Sequence, residues 1–426
     1  MGDVAVELPF GSRFIKIEVP KRNLIATVEP RQVQAVVNGA VEAERALRNP
    51  IGEGRISDLV RKGSKVVILS EDNTRPTPVN EILPPILKEL NNCGVKDEDI
   101  TAIMALGTHR PMSDKEMSKK LGEEIADRIE VVNHECEHPE SLRRLGKTSK
   151  GTPILVNKMA LKADFMIGVG MICPHRVAGY GGGAKIVQPG ISGKVTTGRT
   201  HWMSALYEAE KIMGTEENPV REEMNEIASK AKLGFIINAV LNREGRIVKV
   251  VAGDFIKAFK EGVQEARKIW EVNVPEKADI VIADSHPADL DMWQAAKAIY
   301  ASELIVKPGG TIILITPCSE GVSKQHPQVL QFGYRPFNEL KNLLREKELT
   351  DLVAAAHMAH VSRVIREKAK CILVSEGINE SDTLKLGFEY AKTPQEATNR
   401  ALDDYGRKAR VIVIKESSEL LPIARN

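Results

Sequence analysis

The sequence has little cysteine, few aromatic residues and no long apolar segment. Only five of its 426 residues are cysteine, and aromatic residues make up 4%. Five widely separated cysteines argue against a disulfide framework and are typical of reduced thiols in a cytoplasm. No apolar run reaches the roughly 18 residues of a membrane-spanning helix, and the N-terminus resembles neither a secretory signal nor a myristoylation site. We therefore predict a cytoplasmic protein.

The sequence also lacks a block of charge of either sign. Its 60 basic and 58 acidic residues are interspersed, and the formal net charge is +2. Without a basic patch or an acidic tail, we expect no nucleic-acid partner and no membrane partner. Hydrophobic residues make up 42% of the chain, which is typical of a globular protein. The length exceeds what one hydrophobic core usually supports, so two domains are expected.

Short apolar runs that turn polar at their ends recur along the chain. Three of them, at 65–72, 100–106 and 165–172, alternate with helical patterns, as is typical of buried parallel strands. The same alternation restarts at Ala278. The sequence therefore predicts two α/β domains with mainly parallel sheets and an active-site cleft between them.

The polar stretch from Glu271 to Lys277 is the predicted linker between these domains. Residues 1–272 would form a cofactor-binding and catalytic domain. Residues 273–426 would form a C-terminal α/β domain that contributes substrate contacts. Within the first domain, the runs at 13–19 and 24–28 are predicted to form an opening pair of strands.

The densest group of reactive residues follows the run at 165–172. It contains His175, three consecutive glycines at 181–183, and Lys185. It is not a phosphate-binding P-loop, because Ala184 stands where the second glycine belongs and Ile186 where the hydroxyl belongs. Glycines allow a backbone to approach a ligand closely. A lysine in such a loop suits a covalent attachment or a close ionic contact, with desolvation lowering its pKa.

Two further loops follow predicted strands. The loop from Asp72 to Pro78 offers a hydroxyl side chain and Arg75, which suit an anion. The other loop carries His109 before a capping box, Ser113 and Glu116, that begins a helix. Open α/β sheets bind ligands at the carboxyl ends of their strands. We therefore expect both loops to contribute to one site.

Three histidines on these loops indicate acid/base and metal chemistry. His109 and His175 belong to separate loops and could stand on opposite faces of a substrate carbon, as a racemase requires. His201, which we place at the start of a helix, could ligate a soft or borderline metal. The metal would lie beside a group anchored on Lys185.

Other polar groups could have either a functional or a structural role. Gln294 and Lys297 share one face of a predicted helix and could hold a carboxylate. The histidines within Asn133–His138 lack the spacing of a zinc site, so a structural role is favoured. His357 and His360 could ligate a metal together, but no third ligand is in view, and packed or exposed side chains are favoured.

Taken in order, the loop motifs resemble the lactate racemase family, whose enzymes use a nickel-pincer nucleotide. The motifs that carry the resemblance are Asp72-x-x-Arg75-Pro76-Thr77-Pro78, Gly107-Thr108-His109-Arg110, Pro174-His175 through Gly183-x-Lys185, Pro189-Gly190-Ile191, and His201. Their order and spacing match from about residue 65 to residue 201. Five motifs in one order are specific, and the two-domain plan extends the likeness to the whole chain.

The resemblance implies a role for each residue. Lys185 would carry the Ni(II)-pyridinium-3,5-bisthiocarboxylic acid mononucleotide through a thioamide, and His201 would ligate the nickel. His109 and His175 would be the acid/base pair. The other implied contacts are a nucleotide-binding loop, namely Asp72, Asn73, Thr74 and Arg75, and a substrate-binding set, namely Arg75, Gln294 and Lys297.

The resemblance also implies an isomerase, a racemase or epimerase that inverts C2 of a 2-hydroxy acid. A histidine, with a pKa of about 6.5, is too weak a base to remove the C2 proton directly. The C2 hydrogen would therefore move as hydride to and from the tethered cofactor, while the histidines exchange the hydroxyl proton. Enzymes that synthesise the cofactor are the implied maturation partners.

Two departures from the family pattern bear on the substrate. Where the family has a Gly-Tyr-Pro segment and a tyrosine, this sequence has Ser285-His286-Pro287 and Trp293. Tryptophan fills more volume and replaces the hydroxyl with an N–H donor, so we expect a 2-hydroxy acid longer or more polar than lactate.

Two other functions are alternatives to the racemase. The first is a non-catalytic binding protein for the nickel cofactor or for a phosphorylated small molecule. The second, a nicotinamide-linked dehydrogenase, is disfavoured because no strand ends in G-x-G-x-x-G followed by an acidic residue about 20 positions on.

Overall fold

The structure is a computed structural model and describes residues 2–425. It divides into two compact units. The first unit comprises Gln32–Ser204 and Ile212–Ile269, and includes the glycine-rich stretch. The second unit comprises Met1–Arg31, Ala205–Lys211 and Trp270–Asn426.

The regular elements alternate along the chain as the sequence predicts. The strands are β1 Asp3–Phe10, β2 Arg13–Pro20, β3 Leu24–Val28, β4 Val66–Ser70, β5 Ile100–Met104, β6 Glu130–Asn133, β7 Leu142–Lys147, β8 Pro153–Asn157, β9 Phe165–Met171, β10 Pro174–His175, β11 Gly179–Tyr180, β12 Phe235–Leu241, β13 Ile247–Gly253, β14 Glu271–Val274, β15 Ala278–Asp284, β16 Val306–Ile315, β17 Ala369–Val374, β18 Glu389–Tyr390, β19 Val411–Ile414 and β20 Leu421–Ala424. The α-helices are α1 Gly39–Arg48, α2 Ile56–Leu59, α3 Val79–Asn92, α4 Asp114–Leu121, α5 Glu123–Arg128, α6 Lys194–Ser204, α7 Ala209–Ile212, α8 Pro219–Lys230, α9 Lys257–Trp270, α10 Met292–Ile305, α11 Gln328–Phe332, α12 Phe337–Arg345, α13 Leu352–Ser362, α14 Glu380–Leu386 and α15 Pro394–Tyr405.

The first unit is built on a six-stranded sheet in the order β13-β12-β9-β4-β5-β6. All neighbours pair in parallel except β12 and β13, which form a hairpin. Every residue of β4 is buried, as expected for a central strand that is covered on both faces. The strands β4, β5 and β9 run side by side, so the loops that follow them leave the same edge of the sheet.

Local signals set the helices that follow β4 and β5. α3 begins at Val79, directly after the two prolines at 76 and 78, because proline disfavours helical backbone in the residue before it. α4 begins after Ser113, whose side chain and that of Glu116 form the predicted capping box. These boundaries confirm the predicted positions of the loops between strand and helix.

The second unit contains a second six-stranded sheet, in the order β18-β17-β16-β15-β19-β3. All of its neighbouring strands are parallel. The hairpin of β1 and β2 packs on this sheet, since Leu8 and Ile17 belong to the same buried cluster as Ile282 and Ile313. Two α/β units with mainly parallel sheets confirm the predicted fold class, and the active-site cleft stays a prediction.

The predicted division of the chain is wrong at two places. The first 31 residues belong to the second unit, because β3 pairs in parallel with β19 and not with β2; β2 instead pairs with β1. The predicted linker also begins with a strand, β14, which pairs with β20. Both pairings join segments that are far apart along the chain, Leu24 with Val411 and Glu271 with Leu421, and a local pattern does not specify them.

None of the helices within residues 2–425 combines the length and the apolar character needed to cross a bilayer. All five cysteines are free thiols, as the sequence predicts.

Candidate active site

Asp72 follows β4 and binds a histidine on the loop after the neighbouring strand. Its Oδ2 lies 2.6 Å from His109 Nδ1, and its Oδ1 accepts hydrogen bonds from Thr74 N at 3.0 Å and Thr74 Oγ1 at 2.5 Å. The Asp72 side chain is buried, whereas that of His109 is 30% exposed. Burial alone would raise the pKa of Asp72, but His109, Arg75 and the hydrogen bonds together hold it well below its ordinary value. Asp72 is therefore a carboxylate.

Two residues outside the predicted set support this loop. Lys120 on α4 donates from Nζ to the carbonyl oxygens of Arg75 at 2.6 Å and Thr77 at 2.9 Å, and burial lowers its pKa to about 8. Glu71 accepts hydrogen bonds from Thr77 Oγ1 at 2.7 Å and from the backbone N of Met171 at 2.9 Å. The loop is thus held from the helix side and from β9.

Asn73 lies on the exposed side of the same loop. Its Nδ2 donates to Glu116 Oε1 at 2.9 Å. Glu116 also accepts two hydrogen bonds from Arg110, at 2.9 and 2.6 Å, and one from the backbone N of Ser113. The hydrogen bonds from Arg110 and Ser113 lower the pKa of Glu116 to about 2. Asn73, which the resemblance assigns to the nucleotide, is here bonded to the start of α4.

His175 lies in the short hairpin of β10 and β11, opposite Gly179. Its Nδ1 accepts hydrogen bonds from the backbone N–H groups of Val177 at 3.2 Å and Ala178 at 3.3 Å. A backbone N–H can only donate, so a neutral His175 ring carries its own proton on Nε2. The side chain is half-buried.

A buried arginine on α8 fixes the backbone after His175. Arg221 donates to the carbonyl oxygens of Ala178 at 3.1 Å, Gly182 at 3.0 Å and Tyr180. Its guanidinium lies over the ring of Phe259, 4.2 Å from the centroid, and burial lowers its pKa to about 9. One side chain therefore satisfies three carbonyl groups of the glycine-rich stretch.

Sequence reasoning missed Arg221, although the sequence carries a signal for it. Arg221 shares a helical face with Met224 and Ala228, and both are buried. An arginine on an apolar helical face needs partners when it is buried. The loop carbonyls supply them.

The glycines bring this stretch close to the sheet. Gly182 has a φ of +79°, and a Cβ there would lie 2.7 Å from Ile172 Cγ1 and 2.8 Å from Asn238 Oδ1. The same Asn238 oxygen accepts a hydrogen bond from Gly183 N at 2.8 Å. Because Gly182 has no side chain, the loop can pack closely against the end of β9 and against β12.

Lys185 lies in the single helical turn Gly183–Ile186 that follows the glycines. Desolvation by the surrounding protein lowers its pKa to about 7, with the charge of Arg75 acting in the same direction and that of Glu71 opposing it. At neutral pH a large fraction of the amine is therefore uncharged and nucleophilic. This is the property that covalent attachment of a cofactor requires.

His201 lies in the last turn of α6, and not at the start of a helix as predicted. The threonine- and glycine-containing segment before it is helical from Lys194 onward. His201 Nδ1 lies 2.9 Å from the carbonyl oxygen of Thr197, one turn earlier. A carbonyl can only accept, so Nδ1 carries a proton, and in a neutral ring Nε2 then has the lone pair that a metal needs. Thr200 Oγ1 accepts from Gln188 Nε2 at 2.5 Å, which ties α6 to the loop after Lys185.

Within residues 2–425, the side chains that could together hold a metal form one group, in the second unit. Its members are Glu208, Glu210 and Glu303, and the first two make ion pairs with Arg363 and Lys368. His201 is in no such group, so a metal there would need most of its ligands from a cofactor.

His134 has the structural role that its spacing predicts. The side chain is buried, with Nε2 3.0 Å from the carbonyl oxygen of Ser192 and Nδ1 3.1 Å from Asn157 Nδ2. Burial lowers its pKa to about 4.

Gln294 and Lys297 belong to the second unit and lie near the start of α10, three residues apart. The N-cap Asp291 accepts a hydrogen bond from Gln294 N at 2.9 Å. Both side chains are half-buried. The structure thus confirms the predicted helix, while their role toward a substrate stays a prediction.

Trp293, next to Gln294, is held between two histidine rings. Its ring centroid lies 4.0 Å from that of His326 and 4.2 Å from that of His357, and both pairs are stacked. His326 is in turn bonded to Asp351, with Nδ1 2.7 Å from Oδ2. The indole is therefore fixed, and sequence reasoning did not anticipate its partners because they lie more than 30 residues away along the chain.

His357 is packed, as expected, and it is neutral. Its Nδ1 lies 3.3 Å from Tyr300 Oη and its Nε2 3.2 Å from Tyr334 Oη. Burial, together with the nearby His326, lowers its pKa to about 3. The ring is therefore uncharged throughout the neutral and mildly acidic range.

We expect the stabilising contribution of His357 to fall as the pH falls from 7 to 5. Its pKa is about 3 in the folded protein and about 6.5 in the unfolded chain, so protons bind the unfolded chain first. This linkage lowers the free energy of unfolding of the wild type by about 2 kcal/mol between these pH values. Urea unfolding should therefore show a smaller cost of His357→Phe at pH 5 than at pH 7. His138→Phe, at an exposed site, serves as the control, and an equal cost of His357→Phe at both pH values would contradict a neutral buried ring.

The first unit thus contains all predicted residues of the glycine-rich stretch and of the loops after β4 and β5, together with His201. Among them, the structure directly joins Asp72 to His109, and the charges of Arg75 and Lys185 interact. Gln294 and Lys297 are in the second unit. Glu71, Lys120 and Arg221 are supporting residues outside the predicted set.

Comparison with known families accounts for most of the chain. Residues 10–214 match the model of the lactate racemase N-terminal domain, and residues 274–420 match that of the lactate racemase C-terminal domain.

Individual relatives agree with these matches. The chain is 30% identical to the lactate racemase of Lactiplantibacillus plantarum over 97% of this chain and 98% of that protein. It is 32% identical to the lactate racemase of Thermoanaerobacterium thermosaccharolyticum over 74% of this chain and 75% of that protein. The structure of the latter's apoprotein superposes with a TM-score of 0.87 at 28% identity, covering 99% of this chain and 100% of that one. A protein from Thermotoga maritima shares the fold, with a TM-score of 0.71 at 21% identity over 91% of this chain and 97% of that one.

Proposed function

The chain belongs to the lactate racemase family and is a racemase, and from this premise we propose that it inverts C2 of a 2-hydroxy acid, with His109 and His175 as its acid/base pair. The observation that carries the proposal is the state of Lys185. Its amine has a pKa of about 7 in a loop that Arg221 holds in place. An amine in this state is suited to form a bond to a carboxyl-type group of a cofactor.

The residues present fit a lysine-tethered nickel-pincer nucleotide. Lys185 would hold it covalently, His201 would provide a nickel ligand through Nε2, and the loop from Asp72 to Arg75 would bind its nucleotide part. One protein ligand suffices, since the cofactor itself brings the other donor atoms. When bound, the group would supply a reversible hydride acceptor for C2 of the substrate.

The protein's own residues would handle the substrate's proton and charge. One histidine of the pair would take the hydroxyl proton from one face of the substrate, and the other would return a proton on the opposite face. Arg75, Gln294 and Lys297 would bind the substrate carboxylate through charge-assisted hydrogen bonds.

The substrate is proposed to be longer or more polar than lactate. Trp293 stands directly before Gln294, and the stack with His326 and His357 prevents it from moving aside. An indole also offers an N–H donor in place of a phenol hydroxyl. A fixed donor at this position favours a substrate with an additional acceptor group.

Retention of the C2 hydrogen is the test of this function. Protein produced together with cofactor-synthesising enzymes would be supplied with a panel of C2-deuterated 2-hydroxy acids in ordinary water. We expect the inverted product to keep the deuterium, because hydrogen removed from C2 returns to the same carbon. Mass spectrometry of the separated enantiomers measures this.

Loss of the deuterium to solvent would contradict the proposal, since it indicates simple proton exchange at C2. The control is protein produced without the cofactor-synthesising enzymes, which should leave the same acids neither inverted nor exchanged.

A further inference from the structure

The two histidines of the proposed acid/base pair have different partners at the same ring atom. Nδ1 of His109 faces a carboxylate oxygen of Asp72 at 2.6 Å. Nδ1 of His175 faces two backbone N–H groups, those of Val177 and Ala178. A carboxylate only accepts and a backbone N–H only donates, so the two rings are held with their protons on opposite nitrogens.

The ionisation of Asp72 decides the tautomer of His109. The side chain is buried, and its pKa lies well below the ordinary value, so it carries no proton to donate. His109 must then donate from Nδ1, which leaves the lone pair of a neutral ring on Nε2. In His175 the lone pair is on Nδ1, and Nε2 carries the proton.

We infer that Asp72 is a positioning residue for acid/base chemistry: it holds His109 ready to accept a proton at Nε2, while the backbone holds His175 ready to donate one from Nε2. This inference rests on the proposed function and deepens it. With both rings neutral, His109 would become an imidazolium when it takes the hydroxyl proton, and His175 would give up its Nε2 proton on the opposite face. Exchange with solvent would return each ring to its starting form before the next turnover. Such a pair suits a reaction that removes a proton on one face and returns one on the other.

The Asp72 carboxylate is held in a fixed orientation. Its other oxygen, Oδ1, is held by the backbone and the hydroxyl of Thr74. The loop that carries it is anchored through Lys120. Both contacts limit rotation of the carboxylate, so the direction of the hydrogen bond to His109 is set before any ligand binds.

NMR signals of the histidine ring nitrogens report the two tautomers directly. In apoprotein labelled with ¹⁵N-histidine, long-range ¹H–¹⁵N spectra distinguish Nδ1–H from Nε2–H rings, at a pH where both signals have titrated to the neutral form. His109→Gln and His175→Gln identify the two signals. We expect Nδ1–H for His109 and Nε2–H for His175. Nε2–H at His109 in the wild type would overturn the inference.

The variant Asp72→Asn tests whether the carboxylate of Asp72 sets the tautomer of His109. An amide can donate as well as accept, so we expect the His109 signal to move to the Nε2–H form or to a mixture of the two. In protein loaded with cofactor, kcat should fall by about 10,000-fold, as for the same change in a Ser-His-Asp triad. Nickel content and the added mass on Lys185 should stay at wild-type levels, because Lys185 and His201 would still hold the cofactor and the rest of the loop would still bind its nucleotide part.

A substitution in the second unit serves as the control for Asp72→Asn. His326 and Asp351 form a similar pair, with Nδ1 2.7 Å from Oδ2. Asp351→Asn should alter the signal of His326 and leave that of His109 unchanged, which shows that the spectra report on the local carboxylate.

Two results would overturn the role of Asp72. One is an unchanged His109 tautomer and an unchanged kcat in Asp72→Asn. The other is a loss of nickel in parallel with the loss of activity, which would attribute the whole effect to the contact of Asp72 with the cofactor. If the tautomers are as expected but His109→Gln remains fully active, the positioning by Asp72 stands and the proposed function of His109 fails.

Discussion

Replacement of Lys185 by alanine is expected to reduce racemisation to the level of protein that was never supplied with cofactor. The variant lacks the amine that would form the covalent bond, and the chemistry at C2 depends on the bound group. Lys185→Arg should fail as well, because the guanidinium keeps the charge but stays protonated and is not a nucleophile. Intact-mass spectrometry and nickel analysis of protein made alongside cofactor-synthesising enzymes provide the measurement.

The wild type contains its own control for this experiment. Lys120 is a second lysine whose pKa burial lowers, to about 8, but its amine donates to two backbone carbonyl groups. Peptide mapping should therefore find the added mass on Lys185 and none on Lys120. An unmodified Lys185 without bound nickel, in a sample made with the synthesis enzymes, would exclude the proposed tether.

Replacement of His109 or His175 by glutamine should lower the rate of racemisation by about 100- to 10,000-fold, the range that general acid/base catalysis supplies. Glutamine keeps hydrogen-bonding capacity near the ring positions but does not exchange a proton near neutral pH. Both histidines are needed for inversion, so the double variant should be little slower than either single variant. Steady-state kinetics in both directions measure the effect.

Measuring the cofactor content distinguishes a loss of acid/base catalysis from a loss of structure. Nickel and the mass added to Lys185 should be the same in the wild type and in both histidine variants. His138→Gln, an exposed change outside the site, should leave kcat unaltered. A variant at 109 or 175 that keeps the wild-type rate would place the acid/base function on another residue.

Much of the site could be predicted because it depends on short segments. The run at Val66–Ser70 is buried over its whole length, and the polar residues that follow it leave the sheet at the carboxyl edge. The capping box of Ser113 and Glu116 fixed the start of α4. Apolar periodicity and caps act over a few residues, so both can be read from local sequence.

Other features depended on partners far away along the chain. The strand at 24–28 belongs to the second sheet because β19 is its neighbour, and no pattern within it specifies that pairing. His201 is predicted at a helix start, but α6 already begins at Lys194 and includes Thr196, Thr197 and Gly198, whose helix preference is low. Intrinsic preference is weak, and tertiary context overrides it.

By itself, the sequence determined the α/β class, the loops that carry reactive side chains and the resemblance to a racemase family, because each follows from residue types and short spacings. Only the tertiary structure decided what those side chains face. Asp72, which the resemblance assigns to the nucleotide-binding loop, binds His109, Arg221 anchors the glycine-rich stretch, and Trp293 is fixed between two histidines. These contacts join residues 33 to 64 positions apart, and the protonation of a side chain depends on such neighbours and on burial, which no short window of sequence contains.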